Sequence, residues 1–455
     1  MAQSPMGRVQ HAKCFGPIAG PLDRAGNETD RPKSALLTRR SALYAITVAT
    51  TLALPACAVS ERGKAVPATV QDRAAIPGIP NARFWADTQV DALREEVLAA
   101  RDREAKHLGM SPGHGRQRLP PAHLLALSGG SDHGAFGAGV LTGWTELGTR
   151  PEFKLVTGVS TGALIAPLAF LGSSKDHVLR EVYTELSPGQ IFRRRGWISI
   201  LSSDSLADTG PLLTTISRHM DAPTVAALGE EYRKGRLLLI GTTNLDSMRP
   251  SLWNIGAIAA SGHADALDLV RRIMLASASV PTAFPPVMFE VEADGRRWQE
   301  MHVDGGAIAQ TFLYPAALTR NDNILTGPLA RERHAWVIRN ARLGADWQET
   351  PRAVLSIAGR AISSMIAYSG QNDILRLQAQ AERDGIQFHL AYIGDDFTPP
   401  WERPFDRAWM GALFAYGRQR ALEGRAWTEG HPSLVRGAKL PPARAASGAA
   451  AARRL

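Results

Sequence analysis

The chain has 455 residues, 52 Lys/Arg against 43 Asp/Glu for a net charge of +9, and two cysteines. Cys14 and Cys57 give no disulfide framework, the twelve histidines form no H-x-x-x-H pair, and the basic residues are dispersed without aromatic interleaving. A disulfide scaffold, a metal site and a nucleic-acid-binding surface are therefore set aside.

In chain order, residues 1–37 are polar and mixed in charge, and Arg39-Arg40 then precede an apolar run over residues 42–54. That run is too short to cross a bilayer as a helix. It ends in Leu54-Pro55-Ala56-Cys57, and a positive region, an apolar region and small residues before Cys is the plan of a cleavable export signal. Leu-Pro-Ala-Cys resembles a bacterial lipobox and Thr38-Arg39-Arg40 a twin-arginine signal. The lipobox resemblance implies that Cys57 becomes an acylated first residue. The expected location is the bacterial cell envelope, with the chain lipid-anchored at the periplasmic face or the outer membrane. Without the seven basic and three acidic residues of 1–56 the net charge falls from +9 to +5, which suits an anionic membrane surface.

Residues 58–80 hold Pro67, Pro77, Gly78 and Pro80 and read as a tether. Residues 85–108 have helical periodicity with many charges, and 112–121 read as a loop. Strands are then expected over 124–127, 154–157, 236–243, 300–303, 335–339 and 388–393, with helices over 163–171, 265–276 and 353–380. Strand–helix alternation predicts an α/β fold with helices on both faces of the sheet. The expected organisation is a leader and signal over 1–57, a tether and N-terminal helix over 58–122, a core over 123–318, its C-terminal continuation over 319–430, and a disordered Ala/Arg-rich tail over 431–455.

The chemistry concentrates in two glycine-rich turns. Leu124-Leu125-Ala126-Leu127 leads into Ser128-Gly129-Gly130-Ser131-Asp132-His133-Gly134. Lys154-Leu155-Val156-Thr157 leads into Gly158-Val159-Ser160-Thr161-Gly162 and a buried-type helix. A strand that turns sharply into a helix presents the apex side chain, Ser160, as a nucleophile, and Gly158 and Gly162 allow the close approach such a turn requires. The N-terminal partial positive charge of the helix favours an oxyanion there. Downstream, Glu300-Met301-His302-Val303 ends in Asp304-Gly305-Gly306, where Asp304 can form an Asx-turn or accept a proton.

These blocks, in this order, resemble the patatin-like phospholipases, whose pattern is a Gly-rich oxyanion turn, G-x-S-x-G, and D-G-G or D-G-A. Ser277-Ala278-Ser279-Val280-Pro281-Thr282-Ala283-Phe284-Pro285-Pro286 resembles the family's segment before the aspartate. The resemblance covers roughly residues 124–314. It implies a three-layer fold with a mainly parallel central sheet. It also implies a serine acyl hydrolase acting on lipid carboxylic esters, above all phospholipids. Ser160 would be the nucleophile, Asp304 the general base, and Gly129, Gly130 and Ser131 the oxyanion donors, with Gly134, Gly158, Gly162, Gly305 and Gly306 shaping the turns. It implies no metal and no organic cofactor; the partners are a lipid substrate and a membrane surface.

The chain departs from the family's G-G-G-x-R-G at two places, with Ser131 for the third Gly and His133 for the Arg. Ser131 is strained if that residue needs φ > 0, and His133 makes the charge beside the turn pH-dependent. Other readings compete. Gly134, Gly137 and Gly139 superficially match a dinucleotide fingerprint, but no acidic ribose-binding residue follows at the expected distance. An α/β-hydrolase triad would join Ser160 to Asp246 or Asp304 and to His334, His389 or His431. A catalytically weak or inactive lipid-binding lipoprotein is the third alternative. His302 reads as a packed residue. Residues 191–201, with three arginines among bulky apolar side chains, read either as a lipid-touching loop or as a buried strand.

Overall fold

The computed structural model describes residues 62–110, 119–194, 204–319, 331–344, 346–434 and 444–445. The expected export signal, Cys14, Cys57, residues 195–203 and most of the tail lie outside these.

Nine strands form one sheet: β1 Arg83–Trp85, β2 Ala122–Leu127, β3 Phe153–Gly158, β4 Leu237–Asn244, β5 Arg249–Asn254, β6 Val287–Ala293, β7 Arg296–Asp304, β8 Arg333–Arg339 and β9 Gln387–Tyr392. The order is β1-β5-β4-β3-β2-β8-β9. The run from β4 to β9 is parallel. Leu237–Asn244 is buried along its whole length, as a parallel strand covered on both faces must be. On the other side of β4 the sheet becomes antiparallel through β5 and β1.

One detail of register positions the site. β4 gives its first half to β3, with Gly158 opposite Ile240, and its second half to β7, with Asp304 opposite Thr242. Where β3 leaves the sheet at Gly158, β7 takes over the same edge. Asp304 thus lands beside the turn that β3 makes on leaving. β7 is supplied by the hairpin with β6, in which Val287, Phe289, Val291 and Ala293 are buried and Glu290 and Glu292 exposed, the period-2 pattern of a half-covered strand.

The helices are α1 Val90–His107, α2 Gly134–Glu146, α3 Thr161–Leu171, α4 Asp176–Thr184, α5 Gly210–His219, α6 Ala222–Arg233, α7 Ile255–Ala260, α8 Ala266–Ser277, α9 Val354–Arg383 and α10 Arg407–Leu422. Alternation along the strands sorts them into two layers. Leu125, Leu127, Val156, Leu238 and Ile240 pack into one core with α2, α3, α8 and α10. Ala126, Leu155, Leu237, Leu239 and Val337 pack into the other with Leu93 and Ala100 of α1 and Ile374, Leu377 and Ala381 of α9. The expected three layers are present, with helices on both faces.

Three expectations are corrected. Residues 62–80 are no free tether: Val66 and Ala74 are buried against Val291 and Ala293, and Ala65 and Ala75 bridge Gln299 and Glu292. The helix expected from residue 85 begins at Val90, because Arg83–Trp85 is taken up by the edge of β5. The tail does not begin at 431, since His431 is buried and its N–H donates to Gln378 Oε1 of α9 at 2.8 Å.

Candidate active site

β3 ends at Gly158 and α3 starts at Thr161, so the reversal falls on Val159 and Ser160. Ser160 has φ +55° and ψ −125°, a conformation that costs about 1–3 kcal/mol and that the surroundings must enforce. They do so by contact: a Cβ on Gly158 would strike the Gly162 carbonyl, and one on Gly162 would strike Leu127 and Ser128. The Ser160 N–H donates to Ser277 Oγ at 3.0 Å, and Ser277 Oγ donates to the Gly241 carbonyl at 2.7 Å. Ser160 stands at the N-terminus of α3 and is 8 % exposed.

Asp304, 4 % exposed, closes β7 on the neighbouring edge. Its N–H donates to the Ser279 carbonyl at 2.9 Å. The two serines of the Ser277–Ser279 pair thus divide the work, one holding the Ser160 turn and the other the Asp304 turn. Asp304 Oδ1 accepts from the Gly306 N–H at 2.7 Å, which is the Asx-turn expected from the Asp-Gly-Gly sequence. Oδ2, however, is buried without a hydrogen-bond partner. Burial pushes this carboxyl up from 3.8 to about 6, with the Ser160 hydroxyl and the Gly306 amide opposing the rise. A carboxylate with a spare oxygen beside a serine hydroxyl, titrating near neutrality, has the properties of a base.

The first glycine turn lies beside them. A Cβ on Gly129 would come 3.2 Å from Ser160 Cβ. The Gly129 N–H donates to the Gln310 carbonyl at 3.0 Å, so of the three expected oxyanion donors this one is already engaged. Gly130 and Ser131 begin a short 3-10 turn, where amides have no partner within the turn. Gly130 has φ +154°, and a Cβ there would collide with the Asn340 carbonyl. Ser131 has φ +54°, the left-handed region in which Gly is the unstrained residue. The family's third Gly is therefore replaced at a position that does require positive φ.

Residues invisible to motif reading hold this turn. Asn340, fully buried after β8, donates from N to Ser128 Oγ at 2.8 Å and from Nδ2 to the Ser128 carbonyl at 2.9 Å, and its Oδ1 accepts from Gly137 N at 3.1 Å. Gln310 joins both turns: its carbonyl accepts from Gly129 and its Nε2 donates to the Gly306 carbonyl at 2.8 Å. Gln310 N in turn donates to Asp373 Oδ2 of α9 at 2.7 Å. Only the three-dimensional path of the chain brings residues 129, 306, 310, 340 and 373 together.

His133 Nδ1 lies 3.1 Å from Asp132 Oδ1, and its ring meets Trp409 edge-on. Against the burial that would raise it, hydrogen bonds from His133, Trp401 Nε1 and the Phe405 N–H hold Asp132 below the ordinary carboxylate value. The histidines proposed for a triad are elsewhere. His334 and His389 stack with His123 and Trp336, and His431 bonds Ser433. Asp246 pairs with Arg62. His302 is fully buried, with Nδ1 2.8 Å from Thr242 Oγ1 and Nε2 3.0 Å from Glu300. Among the described residues, no histidine bonds to Ser160 or Asp304, and no group of three or more His, Cys, Asp or Glu could hold a metal ion.

Residues 125–317 match the family model of the patatin-like phospholipases. No curated protein sequence matches the chain. Among solved structures, VipD from Legionella pneumophila aligns over 68 % of this chain and 67 % of its own at 12 % identity, with a TM-score of 0.30. Human GIVD cytosolic phospholipase A2 aligns over 63 % of this chain and 51 % of its own at 10 % identity, with a TM-score of 0.23. Likenesses at these scores bear on neither the site nor its chemistry; the assignment of this domain rests on the family model.

Proposed function

We propose, on the premise that residues 125–317 form a patatin-like phospholipase domain, that the chain hydrolyses phospholipid acyl esters through a Ser160–Asp304 dyad. The observation that carries the proposal is the buried, unpartnered Oδ2 of Asp304 beside the Ser160 hydroxyl, on a carboxyl raised to about 6. Asp304 takes the Ser160 proton as Oγ attacks the ester carbonyl. The N–H groups of Gly130 and Ser131, with the N-terminus of α3, receive the negative charge on the carbonyl oxygen. Collapse breaks the ester C–O bond, and Asp304 returns its proton to the leaving alcohol. Water then attacks the acyl-Ser160 ester with Asp304 again as base, releasing the fatty acid and restoring the serine. A base of this kind supplies about 10²–10⁴ in rate, and each oxyanion donor about 3–4 kcal/mol.

The same reading places the protein at the bacterial cell envelope, anchored through an acylated Cys57. The sequence Leu54-Pro55-Ala56-Cys57 after an apolar run supports it.

The test is hydrolysis of a short-chain p-nitrophenyl ester and of a labelled phospholipid by wild type, Ser160→Ala and Asp304→Asn. Turnover by wild type and its loss in both folded variants is the expected result. Wild-type inactivity on both substrates, or full activity in Asp304→Asn, overturns the dyad.

A further inference from the structure

α9 is a helix of two unlike halves. From Gly370 onward it packs on the sheet, burying Ile374, Leu377 and Ala381, and Asp373 grips the Gln310 and Thr311 amides. At Val354 and from residue 356 to 369 it is almost bare. Val354 is 83 % exposed and Met365 71 %, and Ile357, Ile362, Ile366 and Tyr368 are exposed as well.

These residues are ordered. Val354, Ile357, Ala358, Ala361, Ile362 and Met365 follow the i, i+3, i+4, i+7, i+8, i+11 spacing of one helical face. In a soluble helix that stripe points to the core; here it points to solvent. Ile366 and Tyr368 widen it beyond the narrow seam of a paired helix. The segment contains no acidic residue, its one charged side chain is Arg360, and Arg352 precedes it.

Its place follows from topology. α9 ends just before β9 and runs back along it, so its N-terminal half extends toward the sheet edge where β2 and β3 release the Gly129 and Ser160 turns. The sixteen residues 354–369 span about 24 Å. Two other exposed apolar side chains lie near the same turns. Ile308 follows the Asp304 turn, and Trp401 reaches back to Asp132. Apolar groups offered to solvent from three separate elements, with Arg352 and Arg360 as the charged residues of 352–369, fit a fluid apolar layer under anionic headgroups. No described helix is long and apolar enough to cross a membrane, so the segment would lie in the interface.

We propose that residues 354–369 of α9 are a lipid-docking helix that seats the Ser160 edge of the molecule on an anionic bilayer. The inference deepens the proposed lipid hydrolysis and names where the chain meets its substrate's phase.

The test uses the full chain with Cys14→Ser, Cys57→Ser and Ser160→Ala, which leaves vesicles intact and removes the acyl anchor. A single environment-sensitive fluorophore is placed at Met365→Cys, with a control at the exposed Asp265→Cys. Vesicles of phosphatidylcholine and phosphatidylglycerol in equal parts should shift the 365 emission to the blue and raise it severalfold, leaving 265 unchanged. In the Ser160 protein, Ile362→Ser with Met365→Ser should lose most hydrolysis of the vesicles and keep turnover of a dispersed short-chain ester. A silent 365 probe, or equal responses at 365 and 265, overturns the docking helix. So does a 365 shift that needs only higher protein concentration without lipid, which would assign the face to a second copy of the chain. A responsive 365 probe on a protein that cleaves no ester would instead overturn the proposed activity and leave the docking helix standing.

Discussion

Replacing Asp304 by Asn should abolish activity and stabilise the protein, and the stabilisation should depend on pH. The unfolded chain releases this proton near 3.8, the folded chain at about 6. Between those values the folded state holds more proton than the unfolded one, so stability falls as pH rises through the window. Above pH 6 the full difference applies, and a shift of this size corresponds to about 3 kcal/mol. Asn carries no charge to desolvate. Its Oδ1 can still accept from Gly306, and its amide can donate to the Ser160 hydroxyl beside it. Chemical denaturation at pH 8 should therefore show Asp304→Asn more stable than wild type by up to about 3 kcal/mol, with the gap closing by pH 4. Wild-type kcat/KM should rise with pH to an inflection at about 6 and then level off. Equal stabilities at pH 8, or a rate flat down to pH 4, would refute the claim that burial sets the basicity of Asp304.

Ser131→Gly should relieve the left-handed conformation at φ +54° and raise stability by about 1 kcal/mol at most, with activity kept, as thermal unfolding and ester turnover would show. Gly130→Ala should do the reverse and prevent folding or activity, because its Cβ collides with the Asn340 carbonyl. Gln310→Ala leaves the Gly306 carbonyl unpaired; about 1–2 kcal/mol of stability should go, kcat should fall more than KM rises, and the inflection at about 6 should move. His389, pushed down to about 4 by burial and by the charges of His334 and His123, stays neutral in the fold while the unfolded chain protonates at 6.5. The contribution of His389 to stability should thus drop as pH falls from 6.5 toward 4, opposing that of Asp304, and over that range His389→Gln should lose less stability, or gain more, than wild type in a denaturant series.

What could be read from the sequence was local. Short runs centred on Leu124–Leu127 and on Leu155-Val156, each before a glycine turn, mark β2 and β3 because a buried parallel strand is largely apolar and the turn needs small residues. α3 and α8 are legible to within two residues of their ends, α3 as a continuous apolar run longer than a strand and α8 by its helical periodicity. β7 is longer than expected, Arg296–Asp304 rather than 300–303, because its first residues are charged and become a strand only by pairing with β6. Trp85 reads as the start of a helix, and Arg83–Trp85 shows no strand signal of its own, because its pairing partner lies far along the chain. The exposed stripe of α9 has the same pattern as a buried one, and periodicity alone does not say which side of a helix meets water. Gln310, Asn340 and Asp373 carry no local signature, since each acts on a turn formed elsewhere.

The span matched by the family model ends at residue 317, yet Asn340 and Asp373 lie beyond it. The glycine turns are therefore written in one stretch of chain and clamped by another. As the polypeptide emerges from the ribosome, a chain that has reached residue 317 holds Ser160 and Asp304 but lacks the two groups that fix the turns around them. The turns receive these hydrogen bonds only when β8 has joined the sheet and α9 has docked. On the proposed function, a nascent chain or a product truncated before α9 would carry the dyad without the side chains that clamp its turns.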